Sequence, residues 1–500
     1  MAGRPLLWPA SVDAIRAILT PDQEVYLVGG AVRDAYLHRP LHDIDLATPD
    51  DGRPLARRIA NYFGGDYYSL DAERGVGRAL IPWEGAQLTV DVAQFRGPDL
   101  LIDLQKRDFT LNAMAVRLPG DLQSIIDPLG GLDDVQAKRV RQCSPESIPT
   151  DPVRVLRAVR ASITFGLMIE PETRQNLKTY AARLATSSPE RVRDEFFHLL
   201  AGQQPARALQ VLFHLGALQH VIPEVRAIQH LLQSTPHQFD VWHHTLHTVE
   251  HLAALLSSFV PNHDDNLTAN VQRGAAVFSL ADMRTHITQH LHQTWPNQRP
   301  HRALLILAAL LHDAGKPATR TVEDDGRIRF LRHEQVGEQL ALERAAALRL
   351  SNDEGQRLGT LVGHHMRPLW LYNNVSGSTP SARAIYRFWR ATGAAGVDIC
   401  LLSMADYLGT YGAHLDQHDW LAFLKVQRAL LEAYFLRREV AVAPPPLLTG
   451  QDLLDQFALQ PGPLIGDLLD QMSEAQVEGN LATRDEALDW VQRLLNGQTP

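Results

Sequence analysis

The 500-residue sequence holds only two cysteines, Cys143 and Cys400, far apart in the chain. Such a pair supplies neither a disulfide framework nor a cysteine-based zinc site, and it suits a reducing cytoplasm. No run of 18 apolar residues is present, so no membrane-spanning helix is expected. The opening MAGRPLLWPASVDAIRAIL lacks the hydrophobic core of a secretory signal and reads as a mature start. Positive charge is not in excess. The 48 Lys and Arg face 57 Asp and Glu, for a net charge of −9, so bulk charge does not announce a nucleic-acid binder. No internal repeat or low-complexity tract stands out. What remains is ordinary globular composition, 45% apolar and 21% charged, at a length that predicts two to four domains.

The chain is organised around Val25 to Asp45, VYLVGGAVRDAYLHRPLHDID. Val25 to Val28 read as a strand, Gly29-Gly30 as its break, and the run with Arg33 and Asp34 as a helix. A second strand follows. On it Asp43 and Asp45 lie two residues apart and share a face, while Ile44 and Leu46 point to a core. Two adjacent carboxylates disfavour each other's ionisation, and a divalent cation relieves them. All-oxygen ligands beside a phosphate suit Mg²⁺. The glycine pair lets backbone approach a phosphate, and a following helix N-terminus favours its charge. This combination reads as a nucleotide-binding, two-metal phosphoryl-transfer site.

Farther along, LTVDVAQF alternates, with Leu88, Val90 and Val92 on one face and Thr89, Asp91 and Ala93 on the other. Asp91 is thereby a polar residue on a strand whose opposite face is apolar. Thr150 to Arg160 reads as a helix start, with Asp151 as N-cap and Pro152 as first helical residue. Arg154, Arg157 and Arg160 recur at three-residue spacing and share a face. They belong to a locally basic segment: from Arg139 to Arg193, ten basic residues oppose five acidic ones. Such a segment attracts phosphate.

The pattern GGAVRD plus DID, followed by Lys106-Arg107-Asp108-Phe109-Thr110-Leu111-Asn112-Ala113 and by TDPVRVLRAVR, resembles the class II nucleotidyltransferases, the tRNA CCA-adding enzymes and bacterial poly(A) polymerases. The resemblance extends through IIDPLGGLDD, the run SSPERVRDEFFHLL and the tail (LLTGQDL … GPLIGDLL). It implies catalytic carboxylates at Asp43, Asp45 and Asp91, and nucleotide binding by Gly29, Gly30, Arg33, Arg107, Asp108 and Asn112. Arg107 suits a triphosphate and Asp108 a ribose hydroxyl. It also implies base reading by Asp151 and Arg154, with Arg157 and Arg160 on phosphate. Two features depart from the family pattern. Only VAQFRGPDLLIDLQK separates Asp91 from Arg107, where a longer flexible loop is usual, and Thr150 stands where Glu is usual. Both make CC-only or A-only addition an alternative to full CCA addition.

The 22 histidines are clustered: His243, His244, His247 and His251 in one segment, then His312-Asp313, His333-Glu334, His364-His365, and a distal Asp406. This succession resembles the HD superfamily of metal-dependent phosphohydrolases. The resemblance implies one metal held by His244, His312, Asp313 and Asp406, with His333 and His365 candidates for a second. Imidazole and carboxylate together accept a transition metal or Mg²⁺.

The whole reading is an α+β protein. A nucleotidyltransferase head with a mixed, antiparallel-rich sheet (1–140) precedes an all-α neck (141–225), HD domain (226–430) and tail (431–500). The expected activity is addition of CMP or AMP to the tRNA 3′ end, with Mg²⁺, CTP, ATP and tRNA as partners and no membrane. The alternatives are CC-only addition, A-only addition, poly(A) synthesis, or an RNA-end phosphohydrolase whose head recruits RNA.

Overall fold

The computed structural model describes residues 4–41, 43–260, 270–375 and 378–496. Contacts divide the chain into two compact units: Met1–Glu195 with Val211–Val221, and Phe196–Gln210 with Ile222–Pro500.

The first unit is built on seven strands: β1 (Tyr26–Val28), β2 (Asp43–Thr48), β3 (Asp66–Asp71), β4 (Val76–Trp83), β5 (Ala86–Gln94), β6 (Ala115–Arg117) and β7 (Ile125–Ile126). Their order is β3-β4-β5-β2-β1-β6-β7. Within this sheet only β2 and β5 run parallel among the described pairs, with Asp45 opposite Asp91 and Ile44 opposite Val90. Burial on β2 alternates as its residue types require: Asp43 and Asp45 are exposed, Ile44 and Leu46 buried. The connection between β2 and β5 contains the helix Arg53–Phe63, whose Ala56, Ile59 and Ala60 face the sheet side. Behind the strands Val28, Ala47, Phe95, Leu104, Ala113 and Ala115 form one apolar cluster.

After the sheet the unit is largely helical. The helix carrying Arg157 and Arg160 starts at Arg154, with Val153 at the N-cap, so Asp151 is not its cap. The expected cap fails because Arg191 takes the Asp151 carboxylate at 2.7 Å, leaving residues 151–154 as a backbone turn. Gly131 follows the Gly130 turn, and a Cβ there would fall 2.1 Å from the Thr110 carbonyl. The Asp127 carboxylate accepts the Gly131 and Leu132 amides at 2.7 and 2.8 Å, as befits a structural turn.

Among the described residues the regular structure of the second unit is helical apart from the hairpin Arg320–Val322 with Ile328–Phe330. Its centre is His301–Leu311, in which every residue from Ala303 onward is buried. Val241–Phe259 packs on it and on Ala395–Tyr411. The tail has its own small core of Leu448, Leu453, Leu468, Met472 and Val491. A mixed sheet followed by helices is the α+β arrangement expected. No helix among the described residues is long and apolar enough to cross a membrane.

Candidate active site and metal centre

The Gly29-Gly30 break lies at the C-terminal end of β1, directly beside the carboxylates of β2. Gly29 has φ +71°, ψ −141°, and a Cβ on it would lie 3.1 Å from Asp45 Oδ2 and 3.4 Å from Arg107 Nη1. Gly29 therefore leaves room where the acid and the arginine approach each other. Asp45 stays open to solvent, yet the protein crowded around it disfavours ionisation and pushes its carboxyl up. Arg107 opposes that rise, while the charges of Asp91 and Asp43 add to it. Asp91 differs: Arg78 on β4 grips it bidentately at 2.7 Å on both oxygens.

A polar relay runs from this cleft along the helix Gly30–Leu37 to the helix Arg154–Phe165. Arg33 pairs with Asp34 at 2.8 Å, donates to Asn112 Oδ1 at 2.5 Å and lies 4.1 Å over the Phe165 ring. Asn112 donates to Asp108 Oδ1 at 3.1 Å. Asp108, buried, pairs with Arg157 at 3.1 Å, and Glu195 joins Arg157 to Arg160. Burial opposes ionisation of Asp108, but Arg157, Asn112 and the Phe109 amide hold it below the usual carboxylate range. Arg33, Asp108, Asn112, Arg157, Arg160 and Phe165 line a recess of about 70 Å³.

Arg154 is buried and mostly committed. Its Nη1 donates to the carbonyls of Arg107 (2.9 Å) and Ser147 (3.1 Å), and its Nη2 to that of Lys106 (2.9 Å). Its Nε lacks a hydrogen-bond partner, as does Asp151 Oδ1, and both are shielded from water. One donor and one acceptor are thus left on adjacent side chains, which carry an ion-pair distance of 3.9 Å between Arg154 Nε and Asp151 Oδ2.

The second unit gathers the histidines. Of those on Val241–Phe259, His244 turns inward, while His243 pairs with Asp240 at the helix start. His244 Nε2 lies 3.0 Å from Asp406 and 3.3 Å from His312 Nε2, which is 3.2 Å from Asp313. His333 Nε2 lies 3.4 Å from the other Asp313 oxygen and 3.3 Å from His365 Nε2. Two ligand sets result, His244–His312–Asp406 and Asp313–His333–His365. His312, His333 and His365 each place Nδ1 on a backbone carbonyl, of Ala309, Phe330 and Val362, at 2.7–2.9 Å. A carbonyl only accepts, so those Nδ1 atoms carry hydrogen and the Nε2 atoms point inward. Burial, with His312 and His333 nearby, pushes His365 down to about 3, so two Nε2 lone pairs face each other across 3.3 Å. That arrangement calls for a cation between them. A cavity of about 350 Å³ opens onto both sets.

The sequence profile described as the Poly A polymerase head domain matches residues 25–100 and 98–141, and that of the HD domain matches 280–408. The A-adding tRNA nucleotidyltransferase of Deinococcus radiodurans is 32% identical over 474 residues, covering 93% of this chain and 94% of that protein. The chain belongs to the tRNA nucleotidyltransferase family. A CC-adding family member from Thermus thermophilus is 29% identical, covering 93% of this chain and 92% of its own. Among solved structures, a CCA-adding enzyme in an apo form shares the fold, with a TM-score of 0.61 at 18% identity, over 97% of this chain and 94% of that one.

Nucleotidyltransferases of this family use divalent metal, and the donor sets here fit one. No salt bridge to Asp43 or Asp45 is formed among the described residues, and His333 and His365 direct their Nε2 atoms at each other. Several partners escaped sequence reasoning. Arg78 is invisible until the β4–β5 register sets it opposite Asp91. Arg191 and Glu195 read only as charges on a neck helix. Lys316 bridges Asp313 (2.7 Å) and Gln233 (2.6 Å) beside the two histidine sets, and its signal was its place three residues after Asp313. His237 lines the same cavity.

Proposed function

We propose that this chain is a template-independent tRNA nucleotidyltransferase that adds CMP, AMP or both to the tRNA 3′ end. The observation that carries the reading is the cleft at the β2–β5 junction: three carboxylates in register, a glycine turn beside them, and Arg107 at its edge. Asp43 and Asp45 would hold Mg²⁺, with Asp91 the third carboxylate beside them; the metal would supply charge neutralisation of the triphosphate and easier ionisation of the attacking hydroxyl. Arg107 pairs with the phosphates, and Arg33 fixes Asn112 and, through it, Asp108. Asp108 accepts from the ribose. The 3′-hydroxyl of tRNA attacks the α-phosphorus of CTP or ATP, and pyrophosphate leaves.

Base choice falls to the unpartnered pair. Asp151 Oδ1 accepts from an exocyclic amine and Arg154 Nε donates to the adjacent ring nitrogen. Cytosine and adenine both present that amine-and-acceptor edge; uracil and guanine present a carbonyl instead. Arg157 and Arg160 face the phosphates. The relatives carry A-adding and CC-adding names, and one solved neighbour is a Thermotoga maritima CCA-adding enzyme complexed with tRNA. The test uses purified protein, Mg²⁺ and tRNA transcripts lacking CCA, ending in C, or ending in CC, each with CTP, ATP or both. Growth to CCA marks a full CCA enzyme. A stop at CC, or growth only from CC with ATP, marks a division of labour. No extension of any transcript rejects the proposal.

We assign the head to 1–140, the neck to 141–225, the HD domain to 226–430 and the tail to 431–500, in a cytoplasmic protein. A secondary phosphohydrolase activity is assigned to His244, His312, Asp313 and Asp406, with His333 and His365, because their inward nitrogens and carboxylates suit a transition metal or Mg²⁺. Asp43→Ala with Asp45→Ala should abolish addition and leave metal-dependent phosphatase activity intact.

A further inference from the structure

We infer that Asp103 is a positioning residue for the incoming nucleotide's phosphates, acting through Arg107; this rests on the nucleotidyltransferase reading above. Asp103 lies on the short helix Leu100–Gln105, capped by Asp99, in the segment joining β5 to the nucleotide-binding loop. It is 2% exposed, and the proposed chemistry does not otherwise use it. A buried carboxylate persists only where its oxygens are engaged. Oδ1 accepts the Arg96 backbone amide at 3.1 Å, just beyond the strand that carries Asp91. Oδ2 accepts both Nε (3.1 Å) and Nη2 (2.9 Å) of Arg107.

Asp103 thus occupies one edge of the guanidinium fork. The remaining nitrogen, Nη1, is aimed at the Gly29 turn, where it and Asp45 Oδ2 flank the same point within 3.4 Å. An arginine on a free stem samples many rotamers; one held along an edge by a buried acid presents its other edge in a single direction. The phosphates would meet that fixed edge. The surrounding turn does not depend on Asp103 alone. Arg154 Nη2 and Arg96 Nη1 both donate to the Lys106 carbonyl, and Lys106 Nζ donates to the Arg96 carbonyl. The chain around Arg107 therefore remains tied when the carboxylate is changed.

The test compares full-length wild type, Asp103→Asn, Arg107→Ala and the double variant, each with Mg²⁺, a tRNA acceptor and the accepted nucleotide. For Asp103→Asn, KM for the nucleoside triphosphate and the inhibition constant of pyrophosphate should both rise about tenfold, the weight of one charge-assisted hydrogen bond. KM for tRNA should stay within about twofold. The double variant should match Arg107→Ala, because Asp103 acts through that side chain. An unchanged triphosphate KM, or effects that add in the double variant, overturns the inference while leaving the nucleotidyltransferase reading in place. If Asp103→Asn does not fold, Asp103→Glu keeps the charge on a longer arm and should show the same shifts, smaller; its absence there is equally fatal. A wild type that extends no tRNA removes the reading and this inference together.

Discussion

Replacing Arg154 with alanine should cost the first unit stability as well as base choice. Its guanidinium is buried and donates three hydrogen bonds to the carbonyls of Arg107, Ser147 and Lys106. Individually, hydrogen bonds from charged donors contribute ~1.5–3 kcal/mol, and they do not add freely. Removing one partner of such a buried charged network costs ~3–5 kcal/mol, because Asp151 also loses a neighbour. In a unit of roughly 200 residues, each kcal/mol shifts the melting midpoint by ~2–4 °C, so the expected fall is ~6–20 °C. Calorimetry on the full chain reads it as a shift of one transition, with the transition of the second unit unmoved. Arg154→Lys, a single compact donor, should fall between. In the same variants, the ratio of kcat/KM for CTP or ATP over UTP should drop, because Nε is gone. A midpoint within about 2 °C of wild type would refute the claim that Arg154 rivets the nucleotide-binding loop.

Gly29→Ala should lose activity at least tenfold and destabilise the first unit by ~1–3 kcal/mol, the scale of backbone strain at a glycine-only conformation; unchanged kinetics would show that the turn tolerates a Cβ. Asp398, buried, accepts from His290 (2.7 Å) and Arg357 (2.7 Å), which hold its carboxyl far below the ordinary range despite burial. A depressed folded pKa means that this contribution is present above the unfolded value near pH 4 and lost as pH falls below it. Asp398→Asn should therefore destabilise the second unit at neutral pH and flatten its loss of stability in acid, as read by denaturation from pH 7 to 3. Elemental analysis should find divalent metal in the wild type and much less in His312→Ala and His365→Ala, and added metal should raise the second unit's melting point only where both imidazoles are present.

Residues whose roles follow from strand alternation were legible at once. In DIDLAT and LTVDVAQF the two-residue period fixed which side chains share a face, and the sheet puts Asp43, Asp45 and Asp91 where that period required. The histidine series likewise told which residues gather, and the structure brings His244, His312, Asp313, Asp406, His333 and His365 into two sets. What stayed hidden depends on neighbours distant in sequence. The capping role expected of Asp151 lost to Arg191, 40 residues away, because a charged partner outbids a cap amide. Nothing local marks Arg78 as the partner of Asp91. Spacing alone put Arg154 on one face with Arg157 and Arg160, yet among these three only Arg154 is buried.

The parallel junction of β2 and β5 has a consequence for how the sheet assembles. A slip of one residue between these strands would turn Asp91 inward toward the core that holds Ile44 and Leu46, and turn Val90 and Val92 out into the cleft. Arg78 would lose its partner in the same slip, since it reaches Asp91 from the far side of β5. Misaligned pairings are thus penalised by stranded charge, and the acids of the cleft double as proofreaders of strand alignment. A chain with Asp91→Val should lose that penalty as well as its chemistry, and refold into a mixture of pairings.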